Sequence, residues 1–240
     1  MEIKSGSGQV ITSLNDWFRH SPPAAGERHW KEGRSAKELA KYWMKNGELI
    51  VVPNELQSLF NSNPVTSELL VESVIPECTT KLDNFGKGRM HDLLLIGKKD
   101  ECSIVISIEA KADETFGPTI AERHRNNSVN SKIDERINLL SKQLFLDVNI
   151  ESLRYQLLHG IAGTLLEAKK QKADFAVFVV QEFTTPLTNP KKQQKNSADL
   201  NLFISTLVNE PVNLKEGFGC RWEMKKPMNR HCFLEKLEPK

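Results

Sequence analysis

Two neighbouring apolar segments, joined by a short polar connection, constrain the fold of this chain more than any other feature. Residues 92–96 and 104–108 are rich in branched apolar side chains, and residues 97–101 between them read Gly-Lys-Lys-Asp-Glu. Such runs predict β-strands, and a short polar connection between two strands predicts an antiparallel hairpin. The chain is therefore expected to fold around a sheet that contains this hairpin.

The register of this hairpin brings two acids together. If about four residues connect the strands, Lys98 lies opposite Ser103 and, further along, Asp92 lies opposite Glu109. Side chains alternate along a strand, so Glu109 and Lys111 share one face. Opposed β-carbons are only about 5 Å apart, and two carboxylates at that distance repel each other. We expect either a cation between the acids or a proton on one of them.

Two acids and an amine on one face suit metal-assisted hydrolysis. Mg²⁺ and Mn²⁺ take one or two protein carboxylates and keep several waters. A lysine beside such a site can hold or deprotonate the attacking water and offset charge that develops on a phosphate. Asp92, Glu109 and Lys111 are thus expected to hydrolyse phosphodiester bonds. The alternative is that all three are charged strand ends on a solvated rim.

The same residues resemble the signature of the PD-(D/E)xK nuclease superfamily, an acid at the start of one strand and Glu-x-Lys at the end of the next. Here these are Asp92 and the triplet at 109–111. Residues 88–92 and 109–117 are also similar to a group of uncharacterised bacterial restriction-endonuclease-like proteins. The resemblance implies an α/β fold with an α-β-β-β-α-β core, a mixed central sheet flanked by helices, and cleavage of nucleic acid, with DNA expected.

The resemblance also implies roles for single residues. Asp92, Glu109 and the backbone carbonyl of Ala110 would bind Mg²⁺ or Mn²⁺, and Lys111 would lie beside the attacking water. One position departs from the family pattern, because His91 precedes the first acid where proline is usual. His91 is therefore a candidate contact for a phosphate or for the scissile water.

Further polar residues extend the candidate site. Gln156 and Arg154 begin the helix expected after the motif, where related nucleases place a polar residue that supports the lysine or the phosphate. Gln156 is expected to join the catalytic residues and Arg154 to bind substrate. Glu77 follows the first expected strand and could be a third metal ligand. Glu55 or Glu38 could fill that role from a helix.

Segments before the hairpin supply the first elements of the implied order. Residues 35–45 predict a helix with Ser35 as its N-cap, and residues 53–60 predict a shorter one. Residues 69–75 predict the first strand, which ends near a proline. A helix and a strand are therefore available before the hairpin.

Segments after the hairpin supply the rest. Residues 175–180 are an uninterrupted apolar run, which predicts a central strand buried on both faces. Gly160 and Gly163 are expected to let the preceding helix approach the strands closely. That helix should run to about residue 170, because apolar side chains recur every four residues at Leu153, Leu157, Ile161 and Leu165.

An insertion at about residues 115–150 separates the motif from this helix. Its second half has the apolar spacing of a helix, with Ile133, Ile137, Leu140 and Leu144. It could form a lid over the site or a peripheral helix. Arg123, His124 and Arg125 could reach phosphates from it, or could remain solvated charges.

The chain of 240 residues, 39% hydrophobic, fits a single domain over 1–240, with a core at about 50–183 and an N-terminal helical extension. Residues 186–196 predict an exposed loop and 199–208 a helix. Residues 220–225 and 231–237 predict C-terminal edge strands.

Composition limits the partners. The net charge is +2, so nucleic acid would be bound through local basic patches rather than bulk charge. The four cysteines lack the spacing of a zinc site, and no apolar run reaches the ~20 residues of a membrane span. We expect a cytoplasmic protein without a membrane anchor, and a homodimer is an option for cutting both strands of a duplex.

Two other functions fit the same pattern. The chain could be a catalytically silent nucleic-acid-binding or scaffolding module that keeps the nuclease fold. It could also hydrolyse a small phosphate ester with the same residues. Intact Asp92, Glu109 and Lys111 favour the nuclease over the silent module.

Overall fold

A mixed sheet with helices on both faces organises this computed structural model, which describes residues 1–47, 49–128, 131–145, 147–214, 219–223 and 231–237. The helices are α1 (Leu14–His20), α2 (Ser35–Trp43), α3 (Asn54–Asn61), α4 (Ile120–Arg125), α5 (Ile133–Leu144), α6 (Tyr155–Gln171) and α7 (Pro190–Val208). The strands are β1 (Ile3–Lys4), β2 (Val10–Ile11), β3 (Leu70–Thr80), β4 (Arg89–Lys99), β5 (Cys102–Lys111), β6 (Phe175–Glu182), β7 (Gly219–Glu223) and β8 (His231–Leu237).

The eight described strands lie in the order β2-β1-β3-β4-β5-β6-β8-β7. Strands β3, β4 and β5 are antiparallel neighbours, whereas β6 is parallel to both β5 and β8. The α/β class and the mixed sheet flanked by helices are thus confirmed. None of the helices in the described residues is both long and apolar enough to cross a membrane.

The register predicted for the hairpin of β4 and β5 is confirmed. Lys98 pairs with Ser103, and the ladder continues to Leu93 opposite Ile108; continued by one residue, this register puts Asp92 opposite Glu109. Asp100 in the connecting turn has a φ of 50°, a left-handed conformation that Asp tolerates better than most residues.

Two apolar clusters divide the core by the two faces of the sheet. Alternate β5 residues, Ile104, Ile106, Ile108 and Ala110, pack with α1, α2 and α3. The other β5 face, which carries Glu109 and Lys111, lies on the side of α5, α6 and α7, where Val105 packs. The prediction that Glu109 and Lys111 share one face of β5 is confirmed.

Helix α6 approaches this second face very closely, as its glycines predicted. A β-carbon added at Gly160 would lie 2.9 Å from the ring of Phe178, and one at Gly163 would lie 3.0 Å from Cδ of Arg89. Side chains at these positions would push α6 away from the sheet. Glycine therefore brings the start of α6 close to the charged face of β5.

The side chains of β4 change face where β3 and β4 pass the candidate site. The two strands pair on both sides of Glu77, which aligns Glu77 with Asp92. Leu93 packs on the α1–α3 face, but His91 contacts α6 on the opposite face. Simple alternation would place both on one face, and the φ of 50° at Glu77 marks the change. Arg89 and His91 consequently face α6.

Several predicted boundaries were wrong. Ser35 is not an N-cap; it is the first residue of α2, and its amide donates to Glu114. Strand β3 does not stop at its proline but continues to Thr80. Helix α7 begins at Pro190, inside the predicted loop, because Asn189 caps it and proline suits a first helical position.

The insertion contains two helices, and the predicted helix over its second half is confirmed. The apolar side of α5, with Ile137, Leu140 and Leu144 buried, packs into the same cluster as α6. At the C-terminal end, β7 is an edge strand as predicted, whereas β8 lies between β6 and β7.

Candidate functional site

The charged residues singled out from the sequence meet where β4 begins and β5 ends. Oδ2 of Asp92 accepts a hydrogen bond of 2.7 Å from the amide of Ala110. Glu109 is 1% exposed and Lys111 is 4% exposed, so neither lies on a solvated rim. The arrangement contradicts the alternative of solvated strand ends.

Glu109 accepts hydrogen bonds from three donors. Nζ of Lys111 lies 2.5 Å and Nε2 of Gln156 lies 2.6 Å from Oε1. Arg89 donates through Nη2 to Oε2. Burial alone would raise the pKa of Glu109, but the charges of Lys111 and Arg89 outweigh it and lower the pKa to about 2. Glu109 is therefore a carboxylate.

Arg89 is a site residue that the sequence did not reveal. Its guanidinium is nearly buried and also contacts two histidines, with Nη1 2.7 Å from Nδ1 of His159 and Nε 3.4 Å from Nδ1 of His91. Burial and the charge of Arg89 hold the pKa of both histidines well below the usual range. Both rings are neutral, so Arg89 is the cation of this group.

His91 lies in the interior beneath the site. It is 0% exposed, Nδ1 is 2.6 Å from Oγ of Ser107, and Nε2 is 3.0 Å from Oγ1 of Thr80. Thr80 in turn donates to Glu167 of α6 at 2.6 Å. This placement suits a residue that supports Arg89 and the strands, rather than one that contacts a phosphate.

Arg154 immediately precedes α6 and is also held within the protein. Nη1 donates to the carbonyl of Gly117 at 2.6 Å, and Nε forms an ion pair of 2.8 Å with Asp199 of α7. These contacts fix the start of α6 against its neighbours. The neighbouring residue Gln156 is thereby directed at Glu109, while Arg154 itself is engaged away from a substrate.

Glu77 brings a third carboxylate to the group. Burial, together with the charges of Asp92 and Glu109, raises the pKa of Glu77 to about 9. Burial and the charge of Glu109 likewise raise the pKa of Asp92 to about 7. Glu38 and Glu55 lie on α2 and α3, across the sheet from Glu109, so they do not join this group.

Lys111 remains a cation despite its burial. Burial opposes the charged amine, but Glu109 and Asp92 together raise its pKa above the usual value. Its Nζ also lies 5.3 Å from the ring centre of Phe116 and 3.3 Å from the carbonyl oxygen of Ala110. Lys111 is thus a fixed positive charge beside the carboxylates.

The donor set fits a hard divalent cation. Carboxylates of Asp92 and Glu109 and the carbonyl of Ala110 are oxygen ligands of the type that Mg²⁺ and Mn²⁺ prefer. When all three are ionised, Glu77, Asp92 and Glu109 carry three negative charges against the two positive charges of Arg89 and Lys111, so a further cation would stabilise the ionised forms of Glu77 and Asp92. Within the described ranges, no three His, Cys, Asp or Glu side chains are grouped so that they could hold a metal ion as they stand.

No curated protein and no solved structure matches the chain significantly. One family model, described as "Domain of unknown function (DUF6946)", matches residues 10–221. This range contains strands β2, β3, β4, β5 and β6, the seven α-helices of the described residues and every residue of the candidate site. The chain therefore belongs to the DUF6946 family.

Proposed function

We propose that this protein is a metal-dependent nuclease that hydrolyses phosphodiester bonds of nucleic acid, with DNA as the expected substrate. The observation that carries the proposal is the convergence of Asp92, Glu109, Lys111 and Gln156 at the ends of two paired strands. The element order α3-β3-β4-β5-α6-β6, with α4 and α5 inserted, supports it. That order agrees with the restriction-endonuclease-like core that the sequence resemblance implies.

Asp92, Glu109 and the carbonyl of Ala110 would hold the metal, with Glu77 as a further carboxylate beside them. A bound Mg²⁺ or Mn²⁺ would supply a Lewis acid and lower the pKa of a bound water. Gln156 keeps Oε1 of Glu109 in place through its 2.6 Å hydrogen bond. Burial of these groups excludes bulk water and strengthens their electrostatic interactions.

Lys111 has a defined role in this proposal. Because its pKa is raised, the amine stays protonated and does not act as a general base. A protonated amine can donate a hydrogen bond to the attacking water or to a phosphate oxygen, and it stabilises negative charge in the transition state. Of the two roles that the sequence allowed for Lys111, the raised pKa favours holding the water over deprotonating it.

Cleavage assays test the proposal. Supercoiled plasmid, linear duplex, single-stranded DNA and RNA would be incubated with Mg²⁺ or Mn²⁺ and the wild type, Lys111→Ala or Lys98→Ala. Lys98 is the control because it is an exposed residue of the same hairpin. Its ion pair with Glu72 is also exposed and therefore contributes little to stability. We expect the wild type and Lys98→Ala to cleave, EDTA to stop cleavage, and Lys111→Ala to lose at least ~100-fold in rate. A folded Lys111→Ala that cleaves at the wild-type rate would contradict the mechanism.

One observation favours a second candidate, the catalytically silent nucleic-acid-binding module. Arg89, Lys111 and Gln156 already satisfy both oxygens of Glu109, so the group is stable as an internal ion-pair network. This candidate predicts binding of nucleic acid that EDTA does not weaken, together with no turnover in any metal. Metal-dependent cleavage lost in Lys111→Ala would exclude it.

A further inference from the structure

We infer that Arg123, held over the ring of Tyr155, binds a backbone phosphate of the nucleic-acid strand that the site cleaves. The inference rests on the proposed function, and it assigns part of the substrate-binding surface to the insertion. The guanidinium of Arg123 lies 5.3 Å from the ring centre of Tyr155, and Arg123 is exposed on α4.

Helix α4 is fixed in position although it is short. Thr119 and Glu122 form a complete capping box, and Ile120 is buried. The amide of Ile120 donates to the carbonyl of Leu153 at 2.9 Å, and the amide of Ala121 donates to the carbonyl of Glu151 at 3.0 Å. These contacts tie α4 to the segment that leads into α6, so Arg123 is presented from a rigid support.

The ring of Tyr155, which lies beneath Arg123, belongs to the helix that also contacts Glu109. Tyr155 is the first residue of α6, and the next residue is Gln156, which binds Glu109. On the following turn, the ring of His159 packs against the ring of Tyr155, with 4.7 Å between the ring centres. His159 also contacts Arg89. Arg123 therefore lies close enough to Glu109 for one strand to contact both.

Arg123 has no acidic partner among the described residues, whereas nearby acids do have partners. His124 lies 2.6 Å from Asp134 and 3.6 Å from Glu151. Three other ion pairs engage further acids of this region: Arg136 with Asp83, Lys132 with Glu135, and Arg154 with Glu122. The positive charge of Arg123 is thus left for an anion from outside the protein.

A phosphate diester suits this charge, and it is the anion that the substrate of the proposed nuclease carries. A guanidinium matches the paired oxygens of a phosphate, and a ring beneath it fixes its plane while its other side stays open. The ring of Tyr155 is 8% exposed, so it supports Arg123 and does not itself offer a stacking surface for a base. The contact is therefore expected to be independent of base sequence.

Equilibrium binding in EDTA tests the inference separately from cleavage. Fluorescent single-stranded DNA, duplex DNA and RNA would be titrated with the wild type, Arg123→Ala and Arg28→Ala over a series of salt concentrations. Arg28 is the matched control, because it is exposed in the 3₁₀-helix Gly26–Arg28 that leads to Trp30 on the opposite sheet face.

We expect Arg123→Ala to weaken binding about tenfold at low salt. The plot of the logarithm of the association constant against the logarithm of the salt concentration should become less steep by about one. Arg28→Ala should retain the wild-type slope. Equal slopes for Arg123→Ala and Arg28→Ala, or no binding by the wild type, would overturn the inference. Loss of affinity in Arg123→Ala without any cleavage by the wild type would support the phosphate contact of Arg123 and reject the nuclease.

Discussion

Arg89 shows at the scale of the residue how the acidic pair is made stable. The sequence implied either a cation between Asp92 and Glu109 or a proton on one of them, and the chain itself supplies a positive charge at Glu109. Strand alternation counted from Leu93 would have placed Arg89 on the far face of the sheet. The change of face lies where Glu77, with a φ of 50° that no pattern of side chains predicts, is opposite Asp92, and beyond it Arg89 contacts Glu109.

Replacing Arg89 should lower the free energy of unfolding. Arg89→Met would leave Glu109 buried with only Lys111 as a charged partner, and breaking a buried ion pair costs about 3–5 kcal/mol. Arg89→Lys should cost less, because it keeps the charge and loses the contacts to the histidines. Urea denaturation of each variant gives the free energy of unfolding, and Arg28→Met is the exposed control. A loss below about 1 kcal/mol in Arg89→Met would show that the pair does not support the fold.

At the scale of the element, the parts with strong apolar periodicity were predictable. The hairpin register followed from two apolar runs and a short turn, and α6 followed from its apolar stripe. The start of α7 was missed because Lys191, Lys192 and Lys195 make its first turns too polar for a periodic pattern. Asn189 and Pro190, a cap and a first-turn proline, were the features that marked it.

The contact between α6 and the sheet gives a prediction at this scale. In Gly160→Ala the new methyl group would meet the buried ring of Phe178 at 2.9 Å. Overpacking of this kind costs about 1–3 kcal/mol and should outweigh the gain of about 1 kcal/mol in helix propensity.

Gly6→Ala is the matched control for this substitution, since its new β-carbon would meet nothing within 4 Å. Thermal unfolding should show a lower Tm for Gly160→Ala than for Gly6→Ala. A higher Tm for Gly160→Ala would mean that helix and sheet are less closely packed than described.

At the scale of the whole molecule, topology brings together residues that are distant in the chain. The sequence supplied Asp92, Glu109 and Lys111 from one hairpin and Gln156 from a helix, and these four do lie together. Arg89 and His159 were not found, because their roles depend on how closely α6 approaches the sheet. Side-chain patterns report which face of an element is buried, but not which polar groups meet there.

The same gathering places three buried carboxylates side by side, which opposes their ionisation. Glu77 and Asp92 have raised pKa values because burial and neighbouring carboxylates oppose their ionisation. A divalent cation would bind their ionised forms, so metal binding and proton release are coupled. Metal affinity should therefore fall as the pH is lowered through about 7, the pKa of Asp92.

Calorimetric titration with Mn²⁺ at pH 8 is the most direct test of the metal site on which the proposed nuclease depends. It would compare the wild type with Asp92→Asn and with Asp100→Asn, an exposed acid in the turn of the same hairpin. We predict saturable binding by the wild type and by Asp100→Asn, and at least ~10-fold weaker binding by Asp92→Asn. Binding that Asp92→Asn leaves unchanged, or no binding by the wild type, would contradict a metal site at Asp92 and Glu109.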